Sequence, residues 1–252
     1  MKFVGIIPAR YASSRFPGKP LAIIGNKPMI QWVYEQSKKA LDAVVVATDD
    51  ERIYSCVKEF CGEVVITSPD HNTGTDRIAE AVSLLPEHYD VVINIQGDEP
   101  FIQPQQIESL MACFSSEKTD IATLVRPFPA TTTFEQLSNP NTPKVVTNPT
   151  GEALMFSRSV IPYLRGVEQA EWAQRHTYLA HIGIYAYRTS VLQQITQLER
   201  TPLECAESLE QLRWLENGYH IQTALTHSIS HGIDTPEDLA DANLHFSEWM
   251  NE

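Results

Sequence analysis

The sequence predicts an α/β protein built on a mostly parallel, helix-covered sheet, and three observations carry that reading. Short apolar, β-rich runs at residues 3–7, 43–47, 64–66 and 91–95 alternate with segments of helical spacing at 29–39, 51–60 and 75–84. The runs are continuously apolar, as strands covered on both faces require, instead of alternating apolar and polar. With 252 residues, 42% hydrophobic and 20% charged, the chain is long enough to bury a full core, and residues 1–252 are read as a single domain.

Each element has a local reason. The first strand, 3–7, runs into PARYASSRFPGKPL at positions 8–21, whose proline and glycine end it. Pro28 suits the first turn of the helix at 29–39, and Asp49 or Asp50 can cap the next helix at 51–60. The fourth run ends in VVINIQGDEP, positions 91–100, where Gly97 permits a sharp turn. Residues 126–149 are rich in proline and threonine and read as a loop-rich passage. Strands are expected after residue 126 at 144–147, 153–156 and 182–187, and helices at 204–217 and 236–249.

Composition narrows the function. A net charge of −13 argues against a nucleic-acid or anionic-membrane partner, which would need a basic face. No apolar run is long enough to cross a bilayer, and Met1-Lys2 enters a strand instead of a secretory signal, so a cytoplasmic protein is expected. Cys56, Cys61, Cys113 and Cys205 show no CxxC spacing and are read as reduced packing residues.

The chemistry begins where the first strand ends. Pro8 and Ala9 lead into a loop carrying Arg10, Arg15 and Lys19, with Ser13 and Gly18 allowing close approach to the main chain. A cationic loop at the carboxyl end of a buried strand suits an anion, and the anion expected is a triphosphate. Neither GxxxxGK[ST] nor GxGxxG is present, so the loop is no P-loop and no dinucleotide fingerprint. On cation count alone, a solvated basic loop competes with this reading.

Asp98 leaves the fourth strand on the same rim, and a carboxylate beside phosphates suits Mg²⁺. In competition, Asp98 and Glu99 are plain turn formers. Asp234, in HGIDTPEDL, is a second acidic candidate, although Thr235 is the better helix cap there. In HIGIYAYR, strand alternation puts His181, Gly183, Tyr185 and Tyr187 on one face, where a histidine alone reads more readily as structural. Leu209, Leu212 and Leu215 mark the apolar face of the expected helix, leaving Glu210 and Gln211 on its flank.

Seven blocks, PARYASSRFPGKPL, HNTGTDR, NIQGDEP, MFSRSVIP, HIGIYAYR, LECAESLEQLRWLENG and GIDTPEDL, stand in the order found in the 3-deoxy-manno-octulosonate (Kdo) cytidylyltransferases, which the chain resembles from Phe3 to Leu239. The resemblance implies a Rossmann-like nucleotidyltransferase fold and transfer of a cytidylyl group from CTP to the anomeric hydroxyl of Kdo. The products would be pyrophosphate and CMP-Kdo for lipopolysaccharide synthesis. It implies that Arg10, Ser13 and Lys19 hold the triphosphate, with Pro8 and Ala9 beside them. Gly74 and Arg77 would lie near the cytosine and Gln96 near nucleotide and sugar. Asp98 and Asp234 would be ligands of Mg²⁺, while Arg158, His181, Tyr185, Glu210 and Gln211 would contact Kdo. Arg10, Lys19, Asp98 and Asp234 are the expected catalytic set. Residues 1–125 would form mainly a nucleotide-binding half and 126–252 mainly a sugar-binding and dimerisation half of a homodimer. Ala180 replaces a cation that many members carry before the histidine, which bears on the choice of sugar. A cytidylyltransferase for 8-amino-Kdo or a neuraminate-like acid, or a non-catalytic nucleotide-binding protein, are the competing readings.

Overall fold

The computed structural model describes residues 1–12, 15–71, 73–229 and 231–250. In chain order the first elements are β1 (Phe3–Ala9), β2 (Ile23–Ile24), β3 (Lys27–Pro28), α1 (Met29–Lys38), β4 (Val44–Thr48), α2 (Glu51–Glu59), β5 (Glu63–Ile66), α3 (Gly74–Ser83), β6 (Val91–Asn94) and α4 (Pro104–Cys113). They are followed by β7 (Ile121–Pro127), α5 (Phe134–Leu137), β8 (Lys144–Thr147), β9 (Ala153–Ser157), α6 (Trp172–Arg175), β10 (Leu179–Arg188), α7 (Thr189–Ile195), α8 (Pro202–Glu207), α9 (Glu210–Glu216), β11 (Ile221–Leu225), α10 (Pro236–Leu244) and α11 (Phe246–Trp249). Residue contacts divide the chain into two compact units, the first made of Met1–Glu108, Ala186–Thr196 and Ser228–Glu252, the second of Ser109–Tyr185 and Gln197–His227.

In the first unit β1 pairs in parallel with β4 and with β6, and β4 pairs in parallel with β5. Every residue of β4 and β6 is buried, as the unbroken apolar runs predict for strands covered on both faces. Asp50 caps α2 by accepting from the Arg52 amide, so of the two candidate caps the structure uses Asp50. Thr73 and Asp76 close a reciprocal capping box at the start of α3, which fixes the entry of Gly74. A second cluster gathers Ile24, Met29, Phe101, Ile233 and Ala242, and it holds the segment after Ile229 to the rest of the unit.

In the second unit β11 pairs in parallel with β7, while β10 pairs antiparallel with β8 and β8 with β9. Leu137, Trp172 and Tyr178 form its aromatic cluster under α5 and α6. The α/β class with mostly parallel strands is as predicted, but boundaries and some elements differ. The helix expected over 204–217 is two helices, because Ser208 takes the left-handed conformation (φ 50°) and ends α8 before α9 begins. The helix expected over 236–249 likewise breaks, at His245. β7, β11, α4 and α7 have no counterpart among the elements read from sequence. IQTAL is short and mixed in polarity, and β7 runs into the Arg-Pro pair that opens the proline-rich passage, so neither gave a clean period.

Candidate active site

The residues expected to hold a nucleotide come together in the first unit. A cavity of about 510 Å³ is lined by Pro8, Ala9, Arg10, Ala12, Arg15, Lys19, Pro20, His71, Thr73, Gly74, Arg77, Gln96, Gly97, Asp98 and Asp234. Ser13, also expected here, lies outside the described residues.

Local structure explains the gathering. β1 delivers Pro8 and Ala9 to the rim, and the loop then turns back on itself through Gly18, whose amide donates to the Tyr11 carbonyl at 2.9 Å with φ 73°. Arg52, held by two hydrogen bonds to Asp50, lies 3.2 Å from the centre of the Tyr11 ring and braces the loop from α2. The turn after β6 passes so close to β1 that a Cβ on Gly97 would meet the Pro8 carbonyl oxygen at 2.9 Å. A glycine is therefore required there for Asp98 to reach the rim.

Asp234 arrives from a distant part of the chain by main-chain bonding. The Ile233 amide donates to the Asp98 carbonyl at 2.9 Å, tying the two acidic segments together. The Asp238 carboxylate accepts the amides of Asp234 and Thr235, each at 2.9 Å, and these bonds hold it below the usual carboxylate range. Thr235 accepts from the Asp238 amide and is the cap of α10, as expected, which leaves the Asp234 side chain to other work.

The consequence is a charge cluster centred on one lysine. Lys19 Nζ lies 2.7 Å from Asp98 Oδ2 and 3.0 Å from Asp234 Oδ1, and its side chain is only 14% exposed. Arg15 Nη1 reaches the other Asp234 oxygen at 3.0 Å. Two carboxylates thus face a common point of positive charge. That donor set suits Mg²⁺, which takes one or two carboxylates and completes its shell with water and phosphate oxygens. Among the described residues no group of three or more His, Cys, Asp or Glu side chains forms a ready metal cage.

Arg77 sits deeper than expected for a surface nucleotide contact. It is buried, donating to Thr67 Oγ1 at 2.6 Å and to Asp49 Oδ2 at 2.9 Å while still lining the cavity. His71 was not singled out by sequence reasoning although it opens the HNTGTDR block. It lines the cavity and hydrogen-bonds to Glu80, which also accepts the Ser68 amide, and His71 first among these partners holds Glu80 below the usual carboxylate range. The signal available was the spacing of His71 and Glu80 across the start of α3.

The residues expected to meet the sugar lie in the second unit. His181 Nε2 is 3.0 Å from Thr123 Oγ1, and the Thr123 hydroxyl is 2.8 Å from the Ile184 carbonyl. The hydroxyl's single proton serves that nearest carbonyl, so the imidazole donates through Nε2 and keeps its lone pair on Nδ1. Burial pushes His181 down to about 3, so it is neutral at physiological pH. Its ring packs 5.3 Å from Tyr185, and Tyr185 packs edge-on at 5.1 Å against Trp214 of α9. Those contacts bring α9 to β10. Gln211 is 4% exposed, so it is buried and not on a solvated flank, and its Nε2 has no hydrogen-bond partner among the described residues. Glu210 is half-buried, 3.9 Å from Arg213.

Arg158 is more committed than its residue type suggested. Nε donates to the Glu207 carbonyl at 2.6 Å, Nη1 to Pro140 at 2.7 Å and Nη2 to Ser208 at 3.2 Å. Three of its five N–H groups serve main-chain carbonyls, which leaves two for a ligand. A larger cavity of about 780 Å³ in this unit, reached by Cys113, Lys118, Glu152, His220 and Gln222, contains none of the expected residues.

Comparison with known proteins identifies the family. Residues 4–223 match the family model described as cytidylyltransferase. A 3-deoxy-manno-octulosonate cytidylyltransferase of Parabacteroides distasonis is 60% identical over 243 residues, 96% of this chain and 97% of that one. Another, of Phocaeicola vulgatus, is 59% identical over 252 residues, the whole of both chains. A solved structure of a CMP:2-keto-3-deoxy-manno-octonic acid synthetase complexed with CTP is 42% identical with a TM-score of 0.89, covering 98% of this chain and 99% of that one. A 4-diphosphocytidyl-2C-methyl-D-erythritol synthase from Anaerococcus prevotii, at 12% identity and a TM-score of 0.61, shares the fold. The chain belongs to the 3-deoxy-manno-octulosonate cytidylyltransferases and has their α/β nucleotidyltransferase fold.

Proposed function

We infer that this chain transfers the cytidylyl group of CTP to the anomeric hydroxyl of Kdo, giving CMP-Kdo and pyrophosphate. The observation that carries the reading is the convergence of Lys19, Arg15, Asp98 and Asp234 in a cavity at the end of β1, in a chain 42% identical to a synthetase whose structure holds CTP.

The sugar hydroxyl oxygen attacks the α-phosphorus and gives up its proton to water, the bond to the bridging oxygen breaks, and negative charge develops on the departing pyrophosphate. Lys19, with Arg10 and Arg15 in the same cavity, supplies fixed positive charge where that charge develops. Asp98 and Asp234 would hold a Mg²⁺ ion, which when bound supplies Lewis acidity at the phosphate and lowers the proton affinity of an attacking hydroxyl. The amino-terminal end of α3 offers the Gly74 main-chain N–H to the nucleotide, the Thr73 amide being taken by Asp76. On the sugar side, neutral His181, Tyr185, Gln211 and Glu210 offer a mixed set of donors and acceptors for hydroxyl groups, and the two unused Arg158 donors suit a carboxylate.

The same reading has the chain work as a cytoplasmic homodimer that supplies activated Kdo for lipopolysaccharide. The family resemblance supports it, and no helix among the described residues is long and apolar enough to cross a membrane. Pyrophosphate release measured with CTP, ATP and GTP against Kdo, 8-amino-Kdo and a neuraminate tests the reaction. Rapid release with CTP and Kdo is expected. Faster release with another sugar acid would move the substrate assignment, and release with no pair would remove the activity.

A further inference from the structure

The turn between α8 and α9 is held by a carboxylate that lies outside the expected site. Glu207 Oε1 accepts the Ser157 hydroxyl at 2.6 Å and Oε2 accepts the Arg158 amide at 2.8 Å, clipping the end of β9 to a turn some 50 residues away. Arg158 closes the clip from the other side through the carbonyls of Glu207 and Ser208. The next residue, Ser208, carries a positive φ of 50°, a conformation that a residue with a side chain keeps only when its surroundings impose it. Two residues later α9 starts with Glu210 and Gln211.

Gln211 shows that this helix start is aimed at something. Its side chain is 4% exposed, and Nε2 has no partner among the described residues. A buried donor left unmatched is costly unless a ligand completes it. Behind the clip lies Lys144, opposite Ser157 in the β8–β9 register and 0% exposed, with Nζ donating to Asn139 and Thr142 carbonyls at 3.0 and 2.8 Å. Burial lowers Lys144 and the Glu207 charge opposes that shift, so the carboxylate also balances the buried ammonium.

We propose that Glu207 is a positioning residue for the sugar acid: by fixing the Ser157–Arg158 strand end to the Ser208 turn, it sets Arg158 and the first turn of α9 where Gln211 can donate to a substrate hydroxyl. The proposal rests on the functional reading above.

The test is a split between the two substrates, combined with a probe that needs neither. Glu207→Ala should raise KM for Kdo about 10- to 100-fold, the range for losing hydrogen bonds to a charged group, while KM for CTP stays within about twofold. Glu207→Gln, whose one carbonyl oxygen can still accept the Arg158 amide while its NH2 group can only donate, should recover part of the loss. Ser157→Ala, which removes one bond, should fall between wild type and Glu207→Ala and stands in if the latter does not fold. Amide hydrogen exchange at residues 208–212 should be faster in Glu207→Ala without any ligand. A parallel rise in both KM values, no recovery by glutamine, or unchanged exchange at 208–212 would overturn the proposal. Faster exchange in a protein whose wild type turns over no Kdo would keep the positioning role and remove the substrate assignment instead.

Discussion

In the first unit the expected ligands are charged and already matched to one another: Lys19 is shared by Asp98 and Asp234, and Arg15 takes the remaining Asp234 oxygen. In the second they are mostly uncharged and packed away, with His181 neutral through burial, Tyr185 wedged against Trp214, and Gln211 enclosed. The two arrangements fit two kinds of substrate. A triphosphate brings four negative charges and can draw cations away from carboxylates that would then hold a metal. A sugar acid brings one charge and many hydroxyls, and these are discriminated by enclosed polar groups, of which Gln211 Nε2 has no partner among the described residues.

The largest effect that would break the comparison lies in the charged cluster. Asp98→Asn and Asp234→Asn should each lower kcat by about 10²–10³, the scale for removing one preorganised electrostatic partner. The double variant should be little worse than either single one, because groups that act together are strongly non-additive. Steady-state kinetics on variants shown to be folded checks this, and multiplicative losses would mean that the carboxylates act separately.

Next comes the pH response of the neutral site. The unfolded chain takes up a proton at His181 near pH 6.5, whereas the folded chain resists it until about 3. Stability therefore falls as pH drops through that window and is unaffected by this group above it. Denaturant unfolding between pH 6.5 and 5, above the range where carboxylates titrate, should show wild type losing stability by up to one proton's slope and His181→Asn losing less. Equal slopes would mean that the imidazole is protonated in the fold.

A smaller effect separates binding from folding. Since Gln211 Nε2 has no partner among the described residues, Gln211→Met should leave the fold unchanged or stabilise it by about 1 kcal/mol in urea unfolding. A clear destabilisation would show a structural bond at that nitrogen. The smallest effect contrasts the two residues other than glycine that carry positive φ among the described residues, Cys61 after α2 and Ser208 after α8. Cys61→Gly should stabilise by about 0.5–1 kcal/mol with activity intact, because it relieves a left-handed side chain. Ser208→Gly should instead raise KM for Kdo by freeing the turn before α9.

What the sequence showed of all this follows physical lines. β1, β4 and β6 are unbroken apolar runs, so their burial on both faces was legible, and with it the rim where the cationic loop begins. Asp234 was legible as a motif, but its meeting with Lys19 depends on the Ile233 amide and the Asp98 carbonyl, main-chain groups that leave no trace in residue types. Leu209, Leu212 and Leu215, taken along one helix, put Gln211 on a flank. The left-handed Ser208 restarts the helix, and docking of Trp214 on Tyr185 turns Gln211 inward. Arg158 looked free for a carboxylate because its partners are carbonyl oxygens, which every residue carries. β11 escaped because two of its five residues, Gln222 and Thr223, are polar and its pairing with β7 joins segments 100 residues apart.

The division of labour between the two units is the central claim, and crossed kinetics on one variant from each tests it most directly. Lys19→Met should raise KM for CTP and lower kcat while KM for Kdo stays within about twofold, and Gln211→Met should raise KM for Kdo about tenfold while KM for CTP stays within about twofold. Equal shifts of both KM values in either folded variant would contradict the assignment of nucleotide to the charged cavity and sugar acid to the neutral, enclosed residues.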